Sequence, residues 1–411
     1  MDLRYGASKR RIAGNGGIFL IYKNLKIFTE NGIFRPGAIE VRDDIIANVF
    51  IGNDVPSALS GESLDCEAAY CFPGMTDLHF HGAMNCDAGD ATNEALQTIA
   101  RYEASIGVTT ICPATMTEPV KKLEQILSNA ADFRDDQFLH PEKHIGEAEL
   151  CGINMEGPFI SMEKKGAQNE ANILPCDAEI FRRFQKAGRG IVKFIGLAPE
   201  MRDPTEFIKA VKNEVNVAIA HTNADYDTAL RAMKAGAKHL VHMYNAMPEM
   251  THRNPGVIGA AFDCQDVNAE IICDGIHIHP SAIRSTFKMF GRDRIILISD
   301  SLRATGMGDG TYFLGGLEMK VEGKQARMLR DGALAGSVTP LPDCVRTLVK
   351  EMGIPLEDAI YCSTVTPAKE LGIADRKGFL KPGRQADIVF WNEDLSLRFV
   401  LVNGKKPLKI V

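Results

Sequence analysis

Between residues 74 and 300 the chain carries eight short apolar runs, at 74–81, 108–113, 149–156, 192–199, 216–221, 239–242, 269–274 and 294–300. Helical patterns fall between most of them, at 93–105, 119–133, 203–215, 225–235 and 280–290. Strand-length apolar runs alternating with amphipathic helices predict parallel strands joined by helical crossovers. Eight such units close into a (β/α)8, TIM-like barrel of the α/β class. A chain of 411 residues is long for one ordinary domain and suits a barrel with an added module.

Both ends read as β-rich. Residues 19–28, 38–41 and 45–51 have strand content broken by Asn31-Gly32, Pro36-Gly37 and Asp43-Asp44, and 386–391 and 398–402 resemble them. The expected organisation is a flexible extension at 1–17, a barrel at 73–374, and a small β-sandwich module built from 18–72 and 375–411. Residues 306–336 interrupt the barrel pattern: 311–314, 317–321 and 326–329, parted by glycines, read as an inserted hairpin. Helices follow at 340–351, 355–362 and 367–371.

Hydrophobic content of 45% and charged content of 24% are ordinary globular values. A net charge of −6, with no block of Lys or Arg, argues against a nucleic-acid surface. An anionic substrate would need a local basic pocket. No run approaches the ~20 apolar residues of a membrane span. The ten cysteines are scattered and form no Cys-x-x-Cys pair, which suits reduced thiols in a cytoplasmic protein.

Barrels gather their chemistry at the C-terminal ends of the strands. His79 and His81 end the first run; alternate strand positions share a face, so both imidazoles can grip one divalent ion. Glu156 ends the third run, His221 the fifth, His242 the sixth and Asp300 the eighth, and His277 follows the seventh. Each alone has an ordinary reading, such as a helix N-cap for Asp300. Together they put metal-ligand types at six of the eight strand ends. Nitrogen and carboxylate donors suit zinc or ferrous iron better than calcium or magnesium. An ion with an open position brings the pKa of its water toward neutrality. A neighbouring carboxylate, Asp300, is the natural general base and later general acid.

With these residues in view the chain resembles the amidohydrolase superfamily and, within it, the N-acetylglucosamine-6-phosphate deacetylases, from about residue 18 to the end. The superfamily pattern is Pro73-Gly74-Met75-Thr76-Asp77-Leu78-His79-Phe80-His81-Gly82. More specific are Glu156-Gly157-Pro158-Phe159 with Lys165-Gly166-Ala167-Gln168, and Leu197-Ala198-Pro199-Glu200. To these add His242-Met243-Tyr244-Asn245-Ala246-Met247 with His252-Arg253-Asn254-Pro255-Gly256, Asp274-Gly275-Ile276-His277 and Leu334-Ala335-Gly336-Ser337. The resemblance implies Glu156, His221 and His242 as primary metal ligands and Asp300 as catalytic acid/base. His79 and His81 make room for a second ion, so one or two zinc or iron ions are expected. It further implies that Asn245 and the Ala246 backbone touch a sugar phosphate, that Arg253 is its charged partner with His252 assisting, and that His277 hydrogen-bonds the sugar. The Arg253 loop is expected to serve the neighbouring subunit's phosphate site, which implies a homodimer. Gln168 stands where some members carry histidine; its amide can donate to the acetyl carbonyl or a sugar hydroxyl but cannot carry a proton.

The implied reaction is hydrolysis of the acetamide of N-acetyl-D-glucosamine 6-phosphate by metal-bound hydroxide with an aspartate acid/base. The alternatives are the same chemistry on N-acetylgalactosamine 6-phosphate, a different amidohydrolase such as a deaminase, and a non-catalytic barrel. No Gly-x-Ser-x-Gly elbow supports a serine hydrolase. The glycines of 306–310 lack the spacing of a nucleotide cradle.

Overall fold

The structure, a computed structural model, describes residues 19–52, 62–201 and 204–406. The extension expected at 1–17 lies outside the described residues. Eight parallel strands run in sequence order around the centre. They are β1 (Met75–Asp77), β2 (Val108–Ile111, resumed at Ala114–Thr115), β3 (Glu149–Leu150, resumed at Ile153–Phe159) and β4 (Val192–Leu197). They continue as β5 (Asn216–Ile219), β6 (Ala237–Leu240), β7 (Asn268–Ile272) and β8 (Ile295–Ile298). Pro113, which has no N–H to give the ladder, sits in the break of β2, and its carbonyl accepts from Asn154 N at 2.9 Å. The ring closes between β8 and β1: Asp300 N donates to the His79 carbonyl at 3.0 Å and His81 N to that of Ser301 at 2.7 Å.

Helices α1 (Asn93–Ile106), α2 (Val120–Leu139), α3 (Ala178–Ala187), α4 (Thr205–Val211), α5 (Tyr226–Ala235), α6 (Gly256–Asp263) and α7 (Pro280–Phe290) form the outer layer. Their entries follow side-chain chemistry. Thr92 Oγ1 caps α1 at Ala95 N and Asp225 caps α5 at Thr228 N, contacts worth about 1 kcal/mol each. Apolar faces such as Leu96, Ile99 and Ala100 of α1 pack under the strands.

Two helical expectations change. The segments 355–362 and 367–371 are one helix, α9 (Leu356–Glu370), following α8 (Leu341–Lys350). The Ser-Thr-Val-Thr stretch does not break α9, because Ser363 and Thr364 donate back to the Ile360 carbonyl and the helix is buried on nearly all sides. Pro367 near its C-terminal end removes only one backbone donor. Helix α4 is also shorter than its 203–215 pattern.

The two chain ends meet in one six-stranded sheet, in the order 397–401, 388–391, 62–73, 19–28, 34–42, 45–51. The strand at 62–73 joins the halves: it pairs in parallel with 19–28 and antiparallel with 388–391. This sheet encloses its own core of Ile27, Ile39, Cys71 and Phe390. It leads directly into β1 through Gly74, whose N–H donates to the Asp387 carbonyl. The insert forms a three-stranded antiparallel sheet, β9 (Gly310–Leu314), β10 (Leu317–Glu322) and β11 (Gln325–Met328), seated by Met116 and Leu302 beside the barrel mouth. All ten cysteines are free thiols. Among the described residues no helix is long and apolar enough to cross a membrane.

Candidate metal centre and active site

At the C-terminal mouth of the barrel, His79, His81, Glu156, His221, His242 and Asp300 converge from β1, β3, β5, β6 and β8, and all are buried. Two adjacent donor groups result: Glu156, His221 and His242, and His79, His81 and Asp300, with the ligand atoms of each within 4.8 Å of one another. Glu156 lies between them. Its Oε1 is 2.8 Å from His221 Nε2 and 2.7 Å from His242 Nε2, and its Oε2 is 3.3 Å from His81 Nε2. His81 Nε2 is also 3.4 Å from Asp300 Oδ1.

Outward contacts fix the rings. His221 Nδ1 faces the Lys164 carbonyl at 2.8 Å, His242 Nδ1 the Asn245 carbonyl at 3.2 Å, and His79 Nδ1 the Glu270 carboxylate at 2.7 Å. An Nδ1–H held this way leaves the Nε2 lone pair pointing inward. The inward donors are left short of partners: His79 Nε2 and Asp300 Oδ1 are buried with no hydrogen bond. Such orphans are rare and call for an occupant. Four imidazole nitrogens and two carboxylates facing one small space fit a divalent cation of the zinc or iron type.

The donors also act on one another's charges. Burial disfavours the charged form of Glu156, but the surrounding His221, His242 and His79 outweigh it and hold its pKa well below the usual carboxylate range. Burial likewise opposes a charged His81, yet Asp300 and Glu156 draw its pKa up to about 10.

Backbone strain accompanies the chemistry. His221 (φ 41°), His242 (φ 28°) and Asp300 (φ 49°) all lie in the left-handed region that non-glycine residues rarely enter. Gly336 makes the close pass beside Asp300 possible: a Cβ there would come within 2.6 Å of the Asp300 carbonyl oxygen. Ser337 N then donates to that carbonyl at 2.7 Å.

A cavity of about 380 Å³ opens over the donors, and Gln168, Asn245, Ala246 and His277 line it. Both ends of the Gln168 amide are engaged: Nε2 donates to Glu156 Oε2 at 2.8 Å, and Oε1 accepts from Thr117 N at 2.6 Å. Gln168 thus braces the carboxylate as well as facing the cavity. His277 is held by Asp274 at 2.7 Å through Nδ1 and by the Ala335 carbonyl at 3.0 Å through Nε2. Burial resists its charged form, but Asp274 prevails and raises its pKa. His252 and Arg253 stand apart, exposed on the loop before α6 and outside the cavity lining.

Sequence reasoning passed over Glu270, His239 and Asn154, which lie fully buried beneath the donors. Their signal was a charged or polar residue inside a core strand, as in Asn268-Ala269-Glu270-Ile271-Ile272. Glu200, which the sequence offered only as part of the motif Leu197-Ala198-Pro199-Glu200, accepts from Thr222 Oγ1 and Asn223 N at 2.5 Å each, tying down the loop after His221.

The chain as a whole is similar to known proteins. Residues 70–407 match the model of the amidohydrolase family. N-acetylglucosamine-6-phosphate deacetylase of Bacillus subtilis (strain 168) is 35% identical over 387 residues, covering 94% of this chain and 96% of the relative. N-acetylgalactosamine-6-phosphate deacetylase of Escherichia coli O157:H7 is 29% identical over 381 residues, 92% of this chain and 97% of the relative. Among solved structures, a point variant of N-acetyl-D-glucosamine-6-phosphate deacetylase from Mycobacterium smegmatis, in complex with N-acetyl-D-glucosamine-6-phosphate, superposes with a TM-score of 0.86 at 30% identity. It covers 96% of this chain and 100% of its own.

Proposed function

The chain belongs to the amidohydrolase family, and from that premise we propose that it hydrolyses the acetamide of N-acetyl-D-glucosamine 6-phosphate to D-glucosamine 6-phosphate and acetate. One observation carries the reading: Glu156, His221, His242, His79, His81 and Asp300 share one small space under a cavity sized for a sugar. Glu156, His221 and His242 would hold a first zinc or iron ion, and His79, His81 and Asp300 a second. A cation there supplies a Lewis acid and an acidified water.

Asp300 takes a proton from the water as its oxygen bonds to the acetyl carbonyl carbon. It then returns that proton to the amine nitrogen as the C–N bond breaks, so one group serves as base and acid. His277 exchanges its Ala335 carbonyl contact for a sugar hydroxyl. Asn245 and the Ala246 backbone meet the 6-phosphate. His252 and Arg253, exposed in this chain, reach the phosphate bound in a second copy, which makes the enzyme a homodimer; a guanidinium matches phosphate oxygens in a bidentate way. A cytoplasmic setting suits ten free thiols.

The N-acetylgalactosamine 6-phosphate reading draws on the E. coli relative alone among those compared above. Acetate release from the two epimers, measured side by side, tests the choice. Faster turnover of the glucosamine epimer is expected, and a clear preference for the galactosamine epimer overturns it.

A further inference from the structure

We propose that Glu270 is the positioning residue that assembles the metal site from beneath, and that His239 and Glu370 hold it in place. Glu270 lies on β7 with no exposed surface and contacts three ligand-bearing strands at once. Oε2 accepts from His79 Nδ1 at 2.7 Å and from His242 N at 3.0 Å. Oε1 accepts from Asn154 Nδ2 at 3.2 Å, two residues before Glu156 on β3, and lies 2.8 Å from His239 Nε2. One carboxylate thereby sets the ring of His79, the strained backbone of His242 and the strand of Glu156.

The line continues away from the site. His239 Nδ1 faces Glu370 Oε1 at 2.9 Å, at the C-terminal end of α9, and Asn268 donates to the other Glu370 oxygen. The His239 ring rests on Phe194 with centroids 4.8 Å apart. A buried carboxylate needs this many partners to remain in an apolar core. The directional consequence is at His79. With Nδ1–H given to Glu270, only Nε2 is left for a cation, and Nε2 is the atom the structure leaves unpartnered.

The inference rests on the metal-site reading above, yet its test needs no substrate. Metal-stripped wild type, Glu270→Gln and His239→Gln would be titrated with zinc alone by calorimetry, with thermal melts recorded on the same samples. Glu270→Gln should bind zinc 10- to 100-fold more weakly, the usual cost of losing a partner behind a ligand. His239→Gln keeps the carboxylate but loosens it and should bind zinc several-fold more weakly. Wild-type affinity and stoichiometry in a folded Glu270→Gln would overturn the proposal. Should that variant not fold, the titration of His239→Gln decides: weakened zinc binding supports the role and unchanged binding overturns it. An enzyme inactive on both sugar phosphates, whose variants still lose zinc in this order, would sink the proposed reaction and leave Glu270 in place.

Discussion

Two clusters of charge, one partly buried at a seam and one fully buried at the barrel mouth, are built differently. At the seam between barrel and β module, Lys377 Nζ lies 2.5 Å from Asp387 and 3.0 Å from Glu149. Arg376 lies 2.6 Å from the other Glu149 oxygen. Asp387 takes a further bond from Asn403 N at 2.7 Å. Two cations meet two carboxylates and the cluster completes itself. At the barrel mouth, acids face imidazoles, and His79 Nε2 and Asp300 Oδ1 are left without a hydrogen bond. A satisfied buried cluster reads as architecture; an unsatisfied one reads as a place for something else.

The contrast can be broken by substitution. The largest effect belongs to the mouth. Asp300→Asn should lower acetate release about 10³- to 10⁴-fold while the ion on Glu156, His221 and His242 stays bound and the melting temperature hardly moves. Turnover near wild type would remove Asp300 from its role. Next comes the seam: Lys377→Met leaves Asp387 buried with less charge against it and should cost about 3–5 kcal/mol in urea unfolding, with zinc affinity intact. An unaltered unfolding midpoint would mean the seam is not structural. Smaller again, Arg253→Ala should raise KM for the phosphorylated sugar about 10- to 100-fold, the scale of a lost charge-assisted contact, and leave the unphosphorylated sugar unaffected. Equal losses on both would argue against a phosphate contact.

The smallest effect sharpens the seam itself. Burial opposes the charge on Glu149, but Lys377 and Arg376 outweigh it and hold its pKa well below the ordinary 4.5. A depressed carboxylate stabilises the fold above its unfolded value and loses that contribution as pH falls. Below about pH 4.5 Glu149 should therefore add a slope of up to about 1.4 kcal/mol per pH unit. Glu149→Gln should flatten it; an unchanged acid slope would assign acid unfolding to other groups.

What the sequence made legible follows the same division. The barrel strands are continuous apolar runs, and the polar residues ending them stand out for that reason. His79, His81, Glu156, His221, His242 and Asp300 could thus be picked before any coordinates. The positive φ of His221, His242 and Asp300 left no mark, because it is set by tertiary contacts such as Gly336 against Asp300. Glu270 and His239 were hidden inside strands, where a lone polar residue reads as noise until its partners from β1, β3 and α9 are seen beside it. The single helix α9 escaped for a related reason: local Ser, Thr and Pro signals predict a break, and burial against the barrel overrides them. The strand at 62–73 escaped because its pairing partners lie at both ends of the chain.

The unsatisfied cluster at the mouth is read throughout as a metal-dependent deacetylase site. The most direct test is acetate release from N-acetylglucosamine 6-phosphate by protein stripped of metal and reloaded with measured amounts of zinc or iron. Stripped protein should show no turnover, and the rate should climb with bound metal until one or two ions are held per chain. Full turnover by metal-free protein would contradict that reading.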